Sequence, residues 1–307
     1  GVTNGDVVIT STMTFVATAN AISYLGATPF FVDAENDGTP SASSIAAAID
    51  VVSEKGLRVG ALVPVDIYGR LANYAEILPL ANEHDIPVVS DAAEALGAKR
   101  GGFSGGAVGD ASVISFNGNK IMTTSGGGMF LSSSEEKADY VRFLATQARE
   151  PAPHYEHVEQ GYNYRMSNIL AALGRAQLRR LPEMIRSRRD TREIYRAFFA
   201  EVPGVSLLPG NPAEDNCWLT TIQVDPDNAG WSASDLRQFL ELNGVESRPL
   251  WKPMHLQPLY RDALFTGGRV AEEIFEKGLA LPSGSSLDNS DRSRILELIT
   301  VFLGKRR

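Results

Sequence analysis

Lys120 lies in the stretch SFNGNKIMTTSGGGMFLSS (115–133), between a strand-like apolar run and three consecutive glycines. A lysine amine becomes a nucleophile toward carbonyls when desolvation or nearby positive charge weakens its hold on the proton. One use of such an amine is a Schiff base with pyridoxal 5'-phosphate (PLP), which asks three further things of a protein. A carboxylate must face the pyridine nitrogen so that the ring can accept electrons. Hydroxyls and backbone amides must hold the phosphate, and an apolar side chain must cover the ring face. Asp91 ends the apolar run IPVVS, where an unpaired carboxylate is costly. Ser115 lies just ahead of Lys120 at a strand end, and Phe15 opens a helical segment. Singly, these residues also read as a loop lysine, a helix-capping aspartate, a strand serine and a core phenylalanine. Together, on one edge of a sheet, they favour cofactor chemistry, with glycines 126–128 leaving room for cofactor and substrate.

The elements that must place these residues alternate strand and helix. Strands are predicted at 6–10, 28–33, 59–66, 86–91, 111–116 and 127–133, with helices at 14–26, 41–56 and 73–85. Strand runs that are apolar at nearly every position indicate an α/β fold with a mostly parallel sheet covered by helices on both faces. In such sheets ligands gather at the carboxyl ends of strands, where Asp91 and Phe116 lie. From Ser167 to Val202 the pattern becomes one long helical region with a bend expected at Pro182. Shorter strand-like and helical runs follow, so the chain divides into a large domain, 1–178, and a smaller C-terminal α+β domain, 179–307, entered by the long connecting helix.

Composition narrows the classes. A net charge of −8 argues against a general nucleic-acid binder. The single cysteine, Cys217, allows no internal disulfide and fits a reducing, cytoplasmic setting. No apolar run approaches the roughly 20 residues of a membrane span. GFSGG (102–106) matches the serine-hydrolase elbow, but that motif needs a preceding strand and a following helix, and here a strand follows. HYEH (154–157) sits among prolines without a third ligand, so a polar loop is expected rather than a metal site.

SDAAEALGA (90–98), followed by the lysine of SFNGNK, resembles the DegT/DnrJ/StrS family of PLP-dependent sugar aminotransferases. So, in order, do STMTFVATANAI, VPVDIYGR, SGGGM, GYNYRMSNILAALGRAQL, SRPLWKPMHLQP and LPSGSS, which span essentially the whole chain. The resemblance implies the aspartate-aminotransferase type fold (fold type I). It makes Lys120 the cofactor-bound lysine and proton carrier, and Asp91 the partner of the pyridine nitrogen. Glu94, where many members carry glutamine, would lie near the phenolic oxygen, Ser115 on the phosphate and Phe15 on the ring. Asn163 and Arg165 would serve the active site of a second subunit, so a homodimer is expected. SFNGNKIMTTSGGGM, HYEHVEQGYNYRMSN and RPLWKPMHLQP are most similar to enzymes making UDP-4-amino sugars of the bacillosamine type. Those move an amino group from L-glutamate to C4 of a UDP-4-keto-6-deoxy-N-acetylhexosamine. Trp251, Lys252 and His255 then become substrate-binding candidates, with a structural loop as their alternative.

Family members begin several dozen residues earlier, with a turn that helps hold the phosphate. A chain truncated at that point is expected to bind PLP weakly and to turn over slowly. Other readings are a GDP- or dTDP-sugar aminotransferase, a PLP-dependent dehydratase (disfavoured because such enzymes commonly replace the lysine by histidine), a silent binding protein of the same fold, or a hydrolase acting through Ser104.

Overall fold

Four apolar runs become adjacent parallel strands because each presents β-branched or aromatic side chains to both faces of a buried sheet. The structure, a computed structural model, describes residues 1–305. In chain order its elements are β1 (Val7–Ser11), α1 (Val16–Tyr24), β2 (Thr28–Val32), α2 (Ala42–Glu54), β3 (Val59–Val63), α3 (Tyr74–Glu83), β4 (Val89–Asp91), β5 (Lys99–Arg100), β6 (Phe103–Ser104), β7 (Ala111–Ser115), β8 (Gly128–Leu131) and α4 (Glu135–Ala145). They continue with α5 (Asn168–Phe199), β9 (Val205–Leu207), β10 (Thr220–Val224), α6 (Pro226–Ala229), α7 (Ala233–Leu242), β11 (Arg248–Pro249), β12 (Phe265–Thr266), α8 (Val270–Lys277), β13 (Gly278–Leu281) and α9 (Asn289–Gly304).

Strand order is β12-β2-β1-β3, all parallel, with Val7 opposite Thr28 and Val8 opposite Ala61. Parallel bridges Leu62–Val88 and Val65–Asp91 carry the sheet on to β4, which pairs parallel with β7. Only β8, at the far edge, runs antiparallel. On one face Ile45, Ala48, Ile49 and Val52 of α2 and Ile77 and Ala81 of α3 pack on Val7, Ile9, Phe30, Leu62, Val88 and Ile114. Full burial of each large side chain stabilises by about 1.5–3 kcal/mol, so this layer dominates the first domain. On the other face α1 sets Ile22 against Val8 and Ala61, while Val63, Val89 and Val113 further along line an open cavity.

A second core forms where β11-β13-β10-β9, an antiparallel sheet, meets α5, α7 and α9 through Phe199, Ile222, Leu236, Leu240, Leu281 and Ile299. Helix α5 contains Pro182 and runs from Asn168 to Phe199 as one element, so the expected boundary between 178 and 179 falls inside it. Strand β12, late in the chain, returns to the first sheet beside β2. Several elements were not anticipated, among them helix α4, which buries no residue fully, and β12 and α8, which are fixed by distant partners.

One side chain ties that return. Buried Asp33, just past β2, accepts backbone N–H bonds from Ala34 (2.8 Å), Ala271 (2.9 Å) and Val270 (3.1 Å), the last two at the start of α8. Asp33→Ala leaves these donors buried and unpaired, and should cost about 1–3 kcal/mol. A fall in the denaturant midpoint without a change in slope is the expected readout.

Candidate active site

A cavity of about 1140 Å³ opens at the carboxyl ends of β4 and β7 and is closed from above by residues of the second core. Phe15, Asp91, Glu94, Ser115, Lys120 and Trp251 all line it. The sheet explains the convergence. Asp91 is locked between neighbours by its own N–H to Pro64 O (3.0 Å) and by Asp66 N–H to its carbonyl (2.9 Å). Its carboxylate therefore leaves the strand end in one direction, where Thr18 Oγ1 donates to Oδ2 (2.6 Å) and Ala93 N–H to Oδ1 (3.1 Å).

Lys120 follows β7 on a short loop. Its Nζ lies 3.1 Å from Glu94 Oε1 and 4.6 Å from the centre of the Trp218 ring. Trp218 also donates its indole N–H to Asn119 O (2.8 Å), which pins the loop from the second core. Glu94 Oε2 accepts the backbone N–H of Tyr68 (2.7 Å), and Asn216 Nδ2 donates to the Glu94 carbonyl (2.7 Å). Burial pushes the Glu94 carboxyl up to about 7 although Lys120 pulls it down. Asp66, wholly buried with Ala72 N–H and Tyr74 O–H on its Oδ1 (each 2.9 Å), is likewise raised to about 7, chiefly by burial.

An aromatic wall stands opposite. Trp251 packs 5.1 Å from Tyr68, 6.1 Å from Trp218 and 6.4 Å from Phe15, ring centre to ring centre, and Trp251 N–H donates to the Tyr68 hydroxyl. Phe15, the residue before α1, keeps its ring largely exposed to the cavity. Ser115 Oγ accepts from Asn117 N–H (3.3 Å), and its own proton is uncommitted among the described residues.

Four expected site residues stay outside the cavity lining. Asn163 and Arg165 are exposed on the segment after α4, held by backbone bonds to Thr146 and Ala145. Lys252 contributes only its carbonyl, to Gln257. His255 is held by its neighbours. Its Nδ1 shares a 2.6 Å hydrogen bond with Thr12 Oγ1, Nε2 faces Glu272 at 3.4 Å, and the ring stacks on Phe265 at 3.9 Å. The imidazole fastens the return segment. Gly127 and Gly128 line the cavity and also allow close packing: a Cβ on Gly128 would meet Ile114 O at 2.6 Å, and one on Gly127 would meet Met166 at 2.8 Å, while one on Gly126 would meet nothing within 4 Å. The HYEH residues lie in a loop and 102–106 in the β5–β6 hairpin.

Sequence reasoning missed Thr18, Tyr68, Asn216 and Trp218. Thr18 had a signal, one helical turn beyond Thr14, to which it hydrogen-bonds at 2.7 Å. The others arrive from distant chain, and no local spacing announces them.

These residues fit PLP. A desolvated amine, a strand-end carboxylate, an open aromatic face and a free serine hydroxyl face one cavity large enough for cofactor and substrate together. Comparison with known proteins agrees. Residues 1–300 match the model of the DegT/DnrJ/EryC1/StrS aminotransferase family. The chain belongs to that family. It is 43% identical to EpsN of Bacillus subtilis, named provisionally as a PLP-dependent aminotransferase, over 97% of this chain and 78% of EpsN. It is 34% identical to GDP-perosamine synthase of Caulobacter vibrioides over 99% of this chain and 81% of that protein. A solved family member from Brucella abortus superposes with TM-score 0.88 at 28% identity, covering 98% of this chain and 80% of the other. The fold is thus that of fold type I PLP enzymes, and the chain is a PLP-dependent sugar aminotransferase. Among the described residues no helix is long and apolar enough to cross a membrane.

The raised carboxyls have a measurable consequence. Unfolded, Asp66 and Glu94 lose their protons near their ordinary values of 3.8 and 4.5; folded, they keep them to about 7. Between those limits the folded chain binds more protons, so this contribution falls as pH rises, by up to roughly 1.4 kcal/mol per pH unit for each group. Thermal melts of the cofactor-free chain should drop between pH 5 and 7.5, and Asp66→Asn should flatten part of the drop. A slope identical in the variant would contradict the assignment to Asp66.

Proposed function

We propose that the chain transfers an amino group from L-glutamate to C4 of a UDP-4-keto-6-deoxy-N-acetylhexosamine, as a homodimer with shared active sites. The observation that carries the reading is the Lys120 amine beside buried Glu94, on the same cavity as Asp91 and Ser115. Bound PLP would supply the electron sink and carry the amino group between the two substrates. Lys120 would hold the cofactor and shuttle the proton between its carbon and that of the substrate. Asp91 would keep the pyridine nitrogen protonated, Glu94 would face the phenolic oxygen, Ser115 would hold phosphate and Phe15 would cover the ring. Trp251 would take the sugar nucleotide.

The motifs resembling bacillosamine-type enzymes support the UDP sugar. The GDP-perosamine synthase relative supports the second reading, a GDP-linked keto sugar. The dimer is supported by where Asn163 and Arg165 lie, away from their own cavity and beside exposed Tyr162, Tyr164 and Ile169.

With PLP the protein should develop an absorbance band that borohydride abolishes, and Lys120→Ala should lack it; a band untouched by the substitution rules Lys120 out. Half-reactions with UDP-, GDP- and dTDP-keto sugars then choose among substrates, and faster turnover of GDP or dTDP sugars would reject the UDP reading. Sharing of sites has its own test. Mixing inactive Lys120→Ala and Arg165→Ala chains should restore about a quarter of wild-type activity, since half the dimers are mixed and each has one intact site. No recovery in demonstrably mixed dimers would refute the sharing.

A further inference from the structure

The wall that the second core gives to the cavity contains an arginine whose present partner is weak. Arg248 opens β11, held opposite Ala280 of β13, and Glu246, Ser247 and Arg248 all line the cavity. Its side chain is 76% exposed, and its carboxylate partner is Glu246, two residues back with a side chain 72% exposed: Nε and Nη2 lie 2.6 and 2.5 Å from the same Oε1. One oxygen takes both contacts, so the two-pronged match of guanidinium to carboxylate is not made. An exposed pair of this kind contributes about 0–1 kcal/mol. Between the two charges, Ser247 Oγ is buried without a hydrogen-bond partner.

Lys120 and Arg248 are the lysine and arginine side chains on the described cavity lining. Lys120 is engaged by Glu94 and by the chemistry. On the proposed reaction both substrates bring oxyanions, carboxylates on the amino donor and a diphosphate on the acceptor. Arginine's planar fork suits either, and lysine's point charge suits them less well.

We propose that Arg248 reads a substrate oxyanion at this cavity and that Glu246 is the resident carboxylate it gives up to do so. Glu246 then acts as a competitor built into the chain: it holds the fork ready in the empty cavity and lowers affinity for anions. The inference rests on the aminotransferase reading and names the residue that recognises its anionic substrates.

Calorimetric titration of the full chain with glutarate, UDP and GDP tests it, alongside the KM for each substrate in the PLP-loaded enzyme. Arg248→Ala should weaken one class of probe about 10- to 100-fold, as expected for loss of a charge-assisted bidentate contact, and Arg248→Lys should recover only part. Loss confined to glutarate, with a raised KM for L-glutamate, identifies the donor carboxylate as the anion. Loss confined to UDP and GDP identifies the diphosphate. Glu246→Gln should tighten the same probe by about 1.5- to 5-fold, the worth of an exposed pair. Both residues are exposed, so the variants should fold. Wild-type affinities in Arg248→Ala, no binding of any probe by the wild type, or weaker binding in Glu246→Gln would overturn the proposal. Failure of the parent reading looks different. A wild type that binds probes through Arg248 yet transfers no amino group loses the function and keeps the anion site. Normal amino transfer with Arg248→Ala matching wild type in every KM loses the anion site alone.

Discussion

A lysine and a glutamate held 3.1 Å apart, mostly out of water, are the contact on which the rest of this site is built. Taking two charges out of water costs several kcal/mol each, and their attraction repays this only when further hydrogen bonds complete the geometry. Here those bonds come from chain far away. Tyr68 N–H satisfies the second carboxylate oxygen, Asn216 holds the Glu94 carbonyl, and Trp218 lies under the ammonium while its indole N–H secures the lysine loop. Segments near residues 68, 94, 120 and 217 must therefore meet before the pair is worth making. The two cores join through the same neighbourhood, where Tyr68, Ile121, Trp218 and Leu250 share one apolar cluster.

The backbone shows the cost of that meeting. Tyr68 and Cys217 both adopt left-handed φ values, 54° each, although neither is glycine. Such conformations cost of order 1–2 kcal/mol per residue and persist where surrounding contacts over-determine them. Between them Gly69 approaches so closely that a Cβ would lie 2.1 Å from Asn216 Oδ1 and 2.7 Å from Trp218 N. Gly69 O in turn accepts Asn216 N–H at 2.9 Å. The glycine of VPVDIYGR is there because two backbones touch, and that touch delivers the Tyr68 amide to Glu94.

This explains what could be read from sequence and what could not. Asp91 and Ser115 were legible because a parallel sheet exposes the carboxyl ends of its strands, and apolar runs mark where those ends fall. Lys120 was legible by its place after Ser115. Trp218 and Asn216 were not, because their contribution depends on how the second core docks, which no periodicity within either segment encodes. The neighbours of His255 were illegible for a related reason: Thr12, Phe265 and Glu272, which contact its ring, come from distant chain or from beyond the loop that carries it. The triple glycine does two jobs of which only one was legible: Gly127 and Gly128 line the cavity, and strand pairing across Ser115 and Gly128 leaves no room for a side chain at Gly128.

Charge sets the last constraint. The chain carries −8, so its overall field does not draw in anionic cofactor or substrates, and screening confines what attraction there is to roughly 8–10 Å. Binding must be decided by local donors. On the cavity floor Lys120 is offset by Glu94, and Asp91 adds a further carboxylate. Because burial holds the Glu94 carboxyl near 7, the floor changes by one charge unit across neutral pH. The carboxyl that makes the change lies 3.1 Å from the Lys120 amine. Replacing Glu94 by glutamine would keep an acceptor for the Tyr68 N–H and remove that change of charge.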